Sequence, residues 1–196
     1  MRGMRRRLMI GRYYDKINYI SSTGNVNNSS NPYIDTKCVL SSDFTFQISY
    51  MIMEENTAFM FGGRTAYNSN DEFAASNIYL NIGLSSRNNI YTRLHKKFIL
   101  EATPSYYSVS GRKHIIDSKF SKGEYPIWLF CVNTSGKGYY QPGDSVRIYY
   151  LKIYNNGILV RDFIPVRRKS DGKIGMLDKV ESKFYTSPNG SEFTGG

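Results

Sequence analysis

Soft metal ligands are nearly missing from this 196-residue chain, which has two cysteines and two histidines. Cys38 and Cys131 lie in separate apolar, strand-like segments without CxxC spacing. His95 and His114 have no ligand-like partner pattern, so no metal site is expected. Both thiols read as buried and reduced, and a bridge between them is not required. Apolar runs are short as well. None approaches the roughly 20 residues of a membrane-spanning helix. Leu8, Met9 and Ile10 fall far short of the ~7–15-residue apolar segment of a secretion signal. The expectation is a chain that stays inside a cell, belongs to a particle released by lysis, or forms a piece of something longer. No apolar period of 3.6 lasts long enough to specify a helix of useful length. Acids are also poorly placed for catalysis. Glu54-Glu55 and Asp71-Glu72 are adjacent pairs in loop-like contexts, and neighbours on a strand point to opposite faces. A glycosidase needs two carboxyls about 5–9.5 Å apart across one substrate. With no ExDxxE-type alternation and no Ser/His/Asp grouping, the chain reads as a non-enzyme. A calcium ion held by Asp71 and Glu72 would rest on a thin ligand set, and no cofactor is expected.

Aromatics and turn residues are plentiful: 17 Tyr, 11 Phe and 17 Gly. Together they suit many strands joined by tight turns, and the length suits one all-β domain with a sizeable core. The organising stretch is Val146 to Arg168. Val146, Ile148, Tyr149, Tyr150, Leu151 and Ile153 form one arm, Asn155-Asn156-Gly157 a tight turn, and Ile158-Leu159-Val160 the return arm. Both arms are apolar at nearly every position, which predicts a hairpin covered on both faces, with the return strand ending or lying at an edge near Pro165. Phe44, Phe46, Ile48, Tyr50 and Ile52 alternate with polar residues, as a strand with one face on the core requires. Further strands are expected at 13–20, 33–40, 58–61, 78–84, 90–94 and 98–100. The run Ile127 to Val132 reads as a central strand with Trp128 in the core. Residues 103–113 read as a turn-rich connection.

The net charge is +10, and five of those charges, Arg2, Arg5, Arg6, Arg7 and Arg12, sit in residues 1–12 with no acid. The rest is spread over the body without a clear basic stripe. The division expected is a basic arm over 1–12 and a domain over 13–196. Such an arm suits an acidic protein surface, nucleic acid or anionic lipid, or is simply a solvated terminus.

Several segments together resemble one family. Tyr19-Ile20-Ser21-Ser22-Thr23-Gly24, resuming at Tyr33-Ile34-Asp35-Thr36, resembles an interrupted "YIESTGTQYIDT" opening, and Phe61-Gly62-Gly63-Arg64 an "FGAR" step. Arg147 to Pro165 resembles "RIYSFKIYDNGTLVRDFIP". Ser170-Asp171-Gly172, Gly175-Met176-Leu177-Asp178 and Lys183-Phe184-Tyr185-Thr186 resemble "SDGxxGLYDxxxxKFYT". These are features of laminin-G-like, concanavalin A-type jelly rolls of phage and prophage virion proteins and of gut-bacterial surface proteins. The resemblance implies an all-β, two-sheet antiparallel jelly-roll sandwich over about 13–195. It does not imply one function. Within it, Arg161 and Asp162 read as architectural, pairing to each other or to a neighbouring strand, and Gly172 and Gly175 as turn residues.

Sugars stack on exposed rings and hydrogen-bond to Asn and Asp in loops. The candidate ligand residues are therefore Tyr67, Asn68, Asn70 and Asp71 in one loop, Tyr106 and Tyr107 in a second, and Tyr139 and Tyr140 in a third. The alternative, that these rings cap sheet edges or fill a protein contact, stays open. The resulting expectation is a non-catalytic virion protein, a capsid decoration or fibre component. It would be assembled in the bacterial cytoplasm and docked through its arm to other virion proteins. The second expectation is a carbohydrate-binding module on a bacterial surface. A homo-oligomer is expected, and neither membrane nor nucleic acid as the main partner.

Overall fold

The computed structural model describes residues 10–23, 30–54, 59–76, 79–84, 88–90, 93–139 and 146–196, and their only helical residues are 10–12. Two sheets face each other. The first runs Arg112–Ile115, Tyr106–Val109, Lys97–Ala102, Phe44–Ile52, Val146–Asn155, Ile158–Arg168, Ile174–Asp178, Lys183–Tyr185. Tyr14–Lys16 pairs with Ile158–Arg168, Ile20–Ser21 with Val146–Asn155, and Thr194–Gly195 with Ile20–Ser21. The second sheet runs Lys137–Tyr139, Val132–Thr134, Phe59–Arg64, Phe73–Ser76, Tyr79–Ile82, Asn88–Asn89, with Trp128–Leu129 joining Ile34–Asp35 to it. This is the expected jelly-roll sandwich.

The strand Phe44–Ile52 shows why the layers close. Its alternation puts Phe44, Phe46, Ile48, Tyr50 and Ile52 on the inner face, all buried. From the facing sheet, Phe61 meets Phe46 with ring centroids 4.7 Å apart, and Phe73 lies 5.1 Å from Phe44. Such ring pairs combine large apolar burial with offset or edge-on geometry.

The long hairpin forms as expected, with Asn156 and Gly157 at φ 50° and 72° in its turn. Its covering differs. Val146, Ile148, Leu151 and Ile153 are buried, whereas Arg147, Tyr149, Lys152 and Tyr154 are half-buried on the outer face, and Ile158 is exposed. The outward rings and long cations carry enough apolar stem to read as core in sequence. The return strand also passes through Pro165 to Arg168. The Pro165 carbonyl accepts from Ile17 N at 3.3 Å. The missing N–H therefore faces the end of the short Tyr14–Lys16 ladder, and no bond to Ile174–Asp178 is lost.

Other expected strands are divided. Ile127 to Val132 is not one strand: Phe130, at φ 67°, reverses the chain and donates its N–H to Met60 O at 2.6 Å. Trp128–Leu129 therefore runs antiparallel to Phe59–Arg64, and Val132–Thr134 parallel to it. Trp128 is buried, stacked on Tyr33 at 4.3 Å. In 33–40 the regular strand is Ile34–Asp35, and Lys37, at φ 53°, bulges out between Thr36 and Cys38, which bond Ile127 at 3.1 and 2.9 Å. Around 90 the paired residues are Asn88–Asn89. The connection 103–113 instead holds a hairpin, Tyr106–Val109 with Arg112–Ile115, turned by Ser110 and Gly111 at positive φ. Gly172 is a turn residue at φ 73°, but Gly175 lies within a strand. A Cβ on Gly175 would meet Phe184 Cζ at 2.7 Å and the Tyr185 carbonyl. Close strand approach, not a turn, requires that glycine.

Arg161 and Asp162 do not pair with each other. Arg161 reaches across the layers, donating to Thr36 O at 2.9 Å and Lys37 O at 3.2 Å and pairing with Glu181 at 2.7 Å. Asp162 pairs with Lys179 at 2.7 Å.

Candidate functional site

The three tyrosine loops sit on different strand pairs, and the third touches the first: the Ser135 amide donates to Arg64 O at 3.0 Å and its hydroxyl to Thr65 O at 2.7 Å. In the first, Arg64 ends its strand turned inward, its Nη1 2.6 Å from Oε1 of the fully buried Glu72. Asn81 donates to the same oxygen at 3.1 Å, and the Asn68 amide donates to Oε2 at 2.7 Å. Asp71 accepts from the Thr65 amide and hydroxyl, both at 2.8 Å. The two carboxylates hold the loop to the sheet from within. Asp71 is thus buried with its Oδ2 taken by Thr65, while the Glu72 carboxylate is taken by Arg64, Asn81 and the Asn68 amide. Tyr67, Asn68 and Asn70 stay exposed, with the Arg64 guanidinium 5.5 Å from the Tyr67 ring.

Tyr106 and Tyr107 point to opposite faces of their strand, as neighbours must. Tyr106 donates to Glu101 at 2.7 Å under the Lys113 ammonium, 3.8 Å from its ring. That bond to a carboxylate, with some burial, raises its pKa. Tyr107 is buried and donates to Asn89 O at 3.2 Å, linking the two sheets. Tyr139 is exposed on Lys137–Tyr139, the outer strand at the opposite edge of the second sheet from Asn88–Asn89. Tyr140 lies outside the described residues.

Arg2, Arg5, Arg6 and Arg7 also lie outside the described residues. Arg12 is exposed at the arm's root, in surroundings that composition alone does not reveal. Register sets Tyr14 against Arg168, Asp15 against Arg167 and Lys16 against Val166. Lys169 donates to Gly11 O at 2.8 Å and pairs with Asp15 at 3.2 Å. Arg12, Lys16, Arg167, Arg168, Lys169 and Lys173 thus gather at one end of the sandwich, against Asp15, Asp171 and Glu192. The body has a basic region after all, and strand pairing assembles it from residues distant in sequence. Arg168 grips Asp171 with two nitrogens, at 2.9 and 2.5 Å, and holds that carboxyl at a pKa of about 2. Two clefts flank this turn. One, of about 510 Å³, is lined by Arg12, Tyr13, Tyr14, Arg168, Lys169 and Ser170. The other, of about 360 Å³, includes Arg167, Lys173, Thr186 and Ser187.

On the outer face of the first sheet, Tyr19 and Tyr149 lie 6.2 Å apart, already covered by Arg147 at 4.2 Å and Lys97 at 4.0 Å. A third cleft, of about 450 Å³, opens where the Tyr106–Ile115 hairpin overhangs Asn88–Asn89. Asn88, Asn89, Ile90, Phe98, Tyr107, Val109, Arg112 and His114 line it. His114 lies flat on Tyr107, 4.8 Å away at 7°. Sequence reasoning found Tyr107 but missed Arg112, His114 and Asn89. The available signal was Ser110-Gly111, a hairpin turn pair.

No family model matches the chain, and no curated protein matches it. Among solved structures it is similar to the native heptameric SAP-like pentraxin of Limulus polyphemus. Identity is 14%, over 70% of this chain and 76% of that one, with a TM-score of 0.51. The likeness shows the fold.

Proposed function

We propose that the chain is a non-catalytic assembly module of a phage particle, a decoration or fibre component docked through its basic arm. The observation that carries this reading is the arm's root. Tyr14–Lys16 is laced into the first sheet beside Arg167, Arg168, Lys169 and Lys173. Arg12 at the arm's root thereby joins a basic end of the body, suited to an acidic surface on other virion proteins. The phage setting comes from the resemblance of the Arg147–Thr186 block, and self-association is part of the proposal. Mass spectrometry of purified particles tests it: a fixed copy number is expected, and absence from particles would overturn it.

A second reading, a carbohydrate-binding module of a bacterial or prophage surface protein, is favoured by the cleft beside Tyr107. That cleft mixes apolar and aromatic walls with polar groups, as small-ligand sites do.

A further inference from the structure

Each of the three clefts has cations in its lining, and their surroundings differ. In the 510 Å³ cleft, Arg168 is held by Asp171 and Lys169 by Asp15 and the Gly11 carbonyl, while Arg12 lies 5.2 Å from the Tyr13 ring. In the 360 Å³ cleft, Ser187 bonds Asn189 at 2.6 Å, Thr186 bonds Ile174 O at 3.4 Å, and Ser191 bonds the Ser30 carbonyl. In the 450 Å³ cleft, the guanidinium of Arg112, the imidazole nitrogens of His114 and the side-chain amide of Asn89 bond no described residue. Its lining holds no carboxylate, so the Arg112 charge is uncompensated there. Ile90 and Phe98 are buried at its base beside the half-buried Val109.

We propose that this cleft binds a carboxylate-bearing sugar, with Arg112 taking the carboxylate, Asn89 the hydroxyls, and the Val109–Ile90–Phe98 surface the ring's C–H face. The guanidinium is a planar fork that matches a carboxylate with two parallel bonds. The volume lies within the ~300–1,000 Å³ of small-molecule sites. Adjacent strand residues separate the roles cleanly: Arg112 and His114 face the cleft, while Lys113 turns to the other side of the hairpin over Tyr106. The Tyr107 hydroxyl, bonded across to Asn89, fixes the cleft's two walls relative to each other. This deepens the carbohydrate-binding reading and rests on it.

The test is titration of the full chain with sodium glucuronate, glucose, acetate and inorganic phosphate, followed by amide chemical shifts. Glucuronate is expected to shift Asn89, Val109, Arg112 and His114 and to bind more tightly than each of the other three. Arg112→Ala should weaken it about tenfold or more, the effect of losing a charge-assisted pair of bonds. Arg112→Lys should fall between the two, and Lys113→Ala should bind as the parent does. Acetate or phosphate binding as well as glucuronate would overturn the proposal, leaving a plain anion site. Unchanged binding by Arg112→Ala would overturn it too. A glycan array tells the two failures apart. Neutral glycans bound without glucuronate would end the acidic-sugar proposal alone, whereas a blank array with a blank titration would end the carbohydrate reading as well.

Discussion

The core of this sandwich contains a tyrosine hydroxyl, an unusual group among so many apolar side chains. Tyr50 is fully buried, and its OH finds no partner among the described residues. Burial pushes its pKa up, because an ionised phenol would lack solvent there. A buried polar atom left unpaired costs about 1–3 kcal/mol, and the hole left by deleting one oxygen returns part of that. Tyr50→Phe is therefore expected to stabilise the chain by about 1 kcal/mol in chemical denaturation. A loss of similar size would mean that the hydroxyl is bonded in solution. The alternation of Phe44 to Ile52 made Tyr50 legible as core, but a sequence does not say whether a buried hydroxyl has a partner. The cysteines are the simpler case. Both are buried free thiols, and burial, opposed by the nearby Arg161, pushes Cys38 up to about 11. In the sequence Asp71 reads as a ligand residue because it sits in a polar loop. Its carboxylate bonds the loop's own Thr65, a local side-chain-to-backbone contact that polarity alone cannot distinguish from a site.

At the scale of elements, the hairpin from Val146 to Arg168 was the most legible part, since turn chemistry and strand composition agreed there. Its outer face was not. Half-buried Tyr149 and Tyr154 with Arg147 and Lys152 resemble core in composition while lying against one layer only. Strand division was illegible wherever a single residue with positive φ reversed an apolar run, as Phe130 does. A polar contact that ties the layers is Arg161, whose side chain is 12% exposed. Asp178, fully buried, accepts from the amides of Asp162 at 3.0 Å and Val180 at 2.9 Å. Its second oxygen lies 3.7 Å from Arg161 Nε, beyond a hydrogen bond but close enough for ion pairing. Arg161→Ala would strip that carboxylate of its nearest cation and release Thr36 and Lys37 from the return strand. A loss of about 3–5 kcal/mol is expected by denaturant titration, the range for a broken buried pair. A loss below ~1 kcal/mol, the size of an exposed pair, would show that Arg161 does not hold the layers together.

For the whole molecule, the all-β class was legible from composition and turn residues, and the jelly-roll sandwich from the resemblance over about 13–195, most specific from Arg147 to Thr186. The meeting of sites was not, because pairing and layer contacts join residues far apart in sequence. Lys16 and Lys173 share one end only because Tyr14–Lys16 docks on the return strand. Asn89 and His114 share one cleft only because one sheet's hairpin overhangs the other sheet's edge strand. The proposed docking surface is therefore a property of the fold and the arm together. The central claim is that the arm brings this module into a particle. The deciding measurement compares the full chain with a chain lacking residues 1–12, by quantitative mass spectrometry of particles assembled with each. Circular dichroism serves as the check that both chains fold. The account predicts that the shortened chain keeps its β-sheet signal and is lost from particles. Equal incorporation of the two folded chains would contradict it.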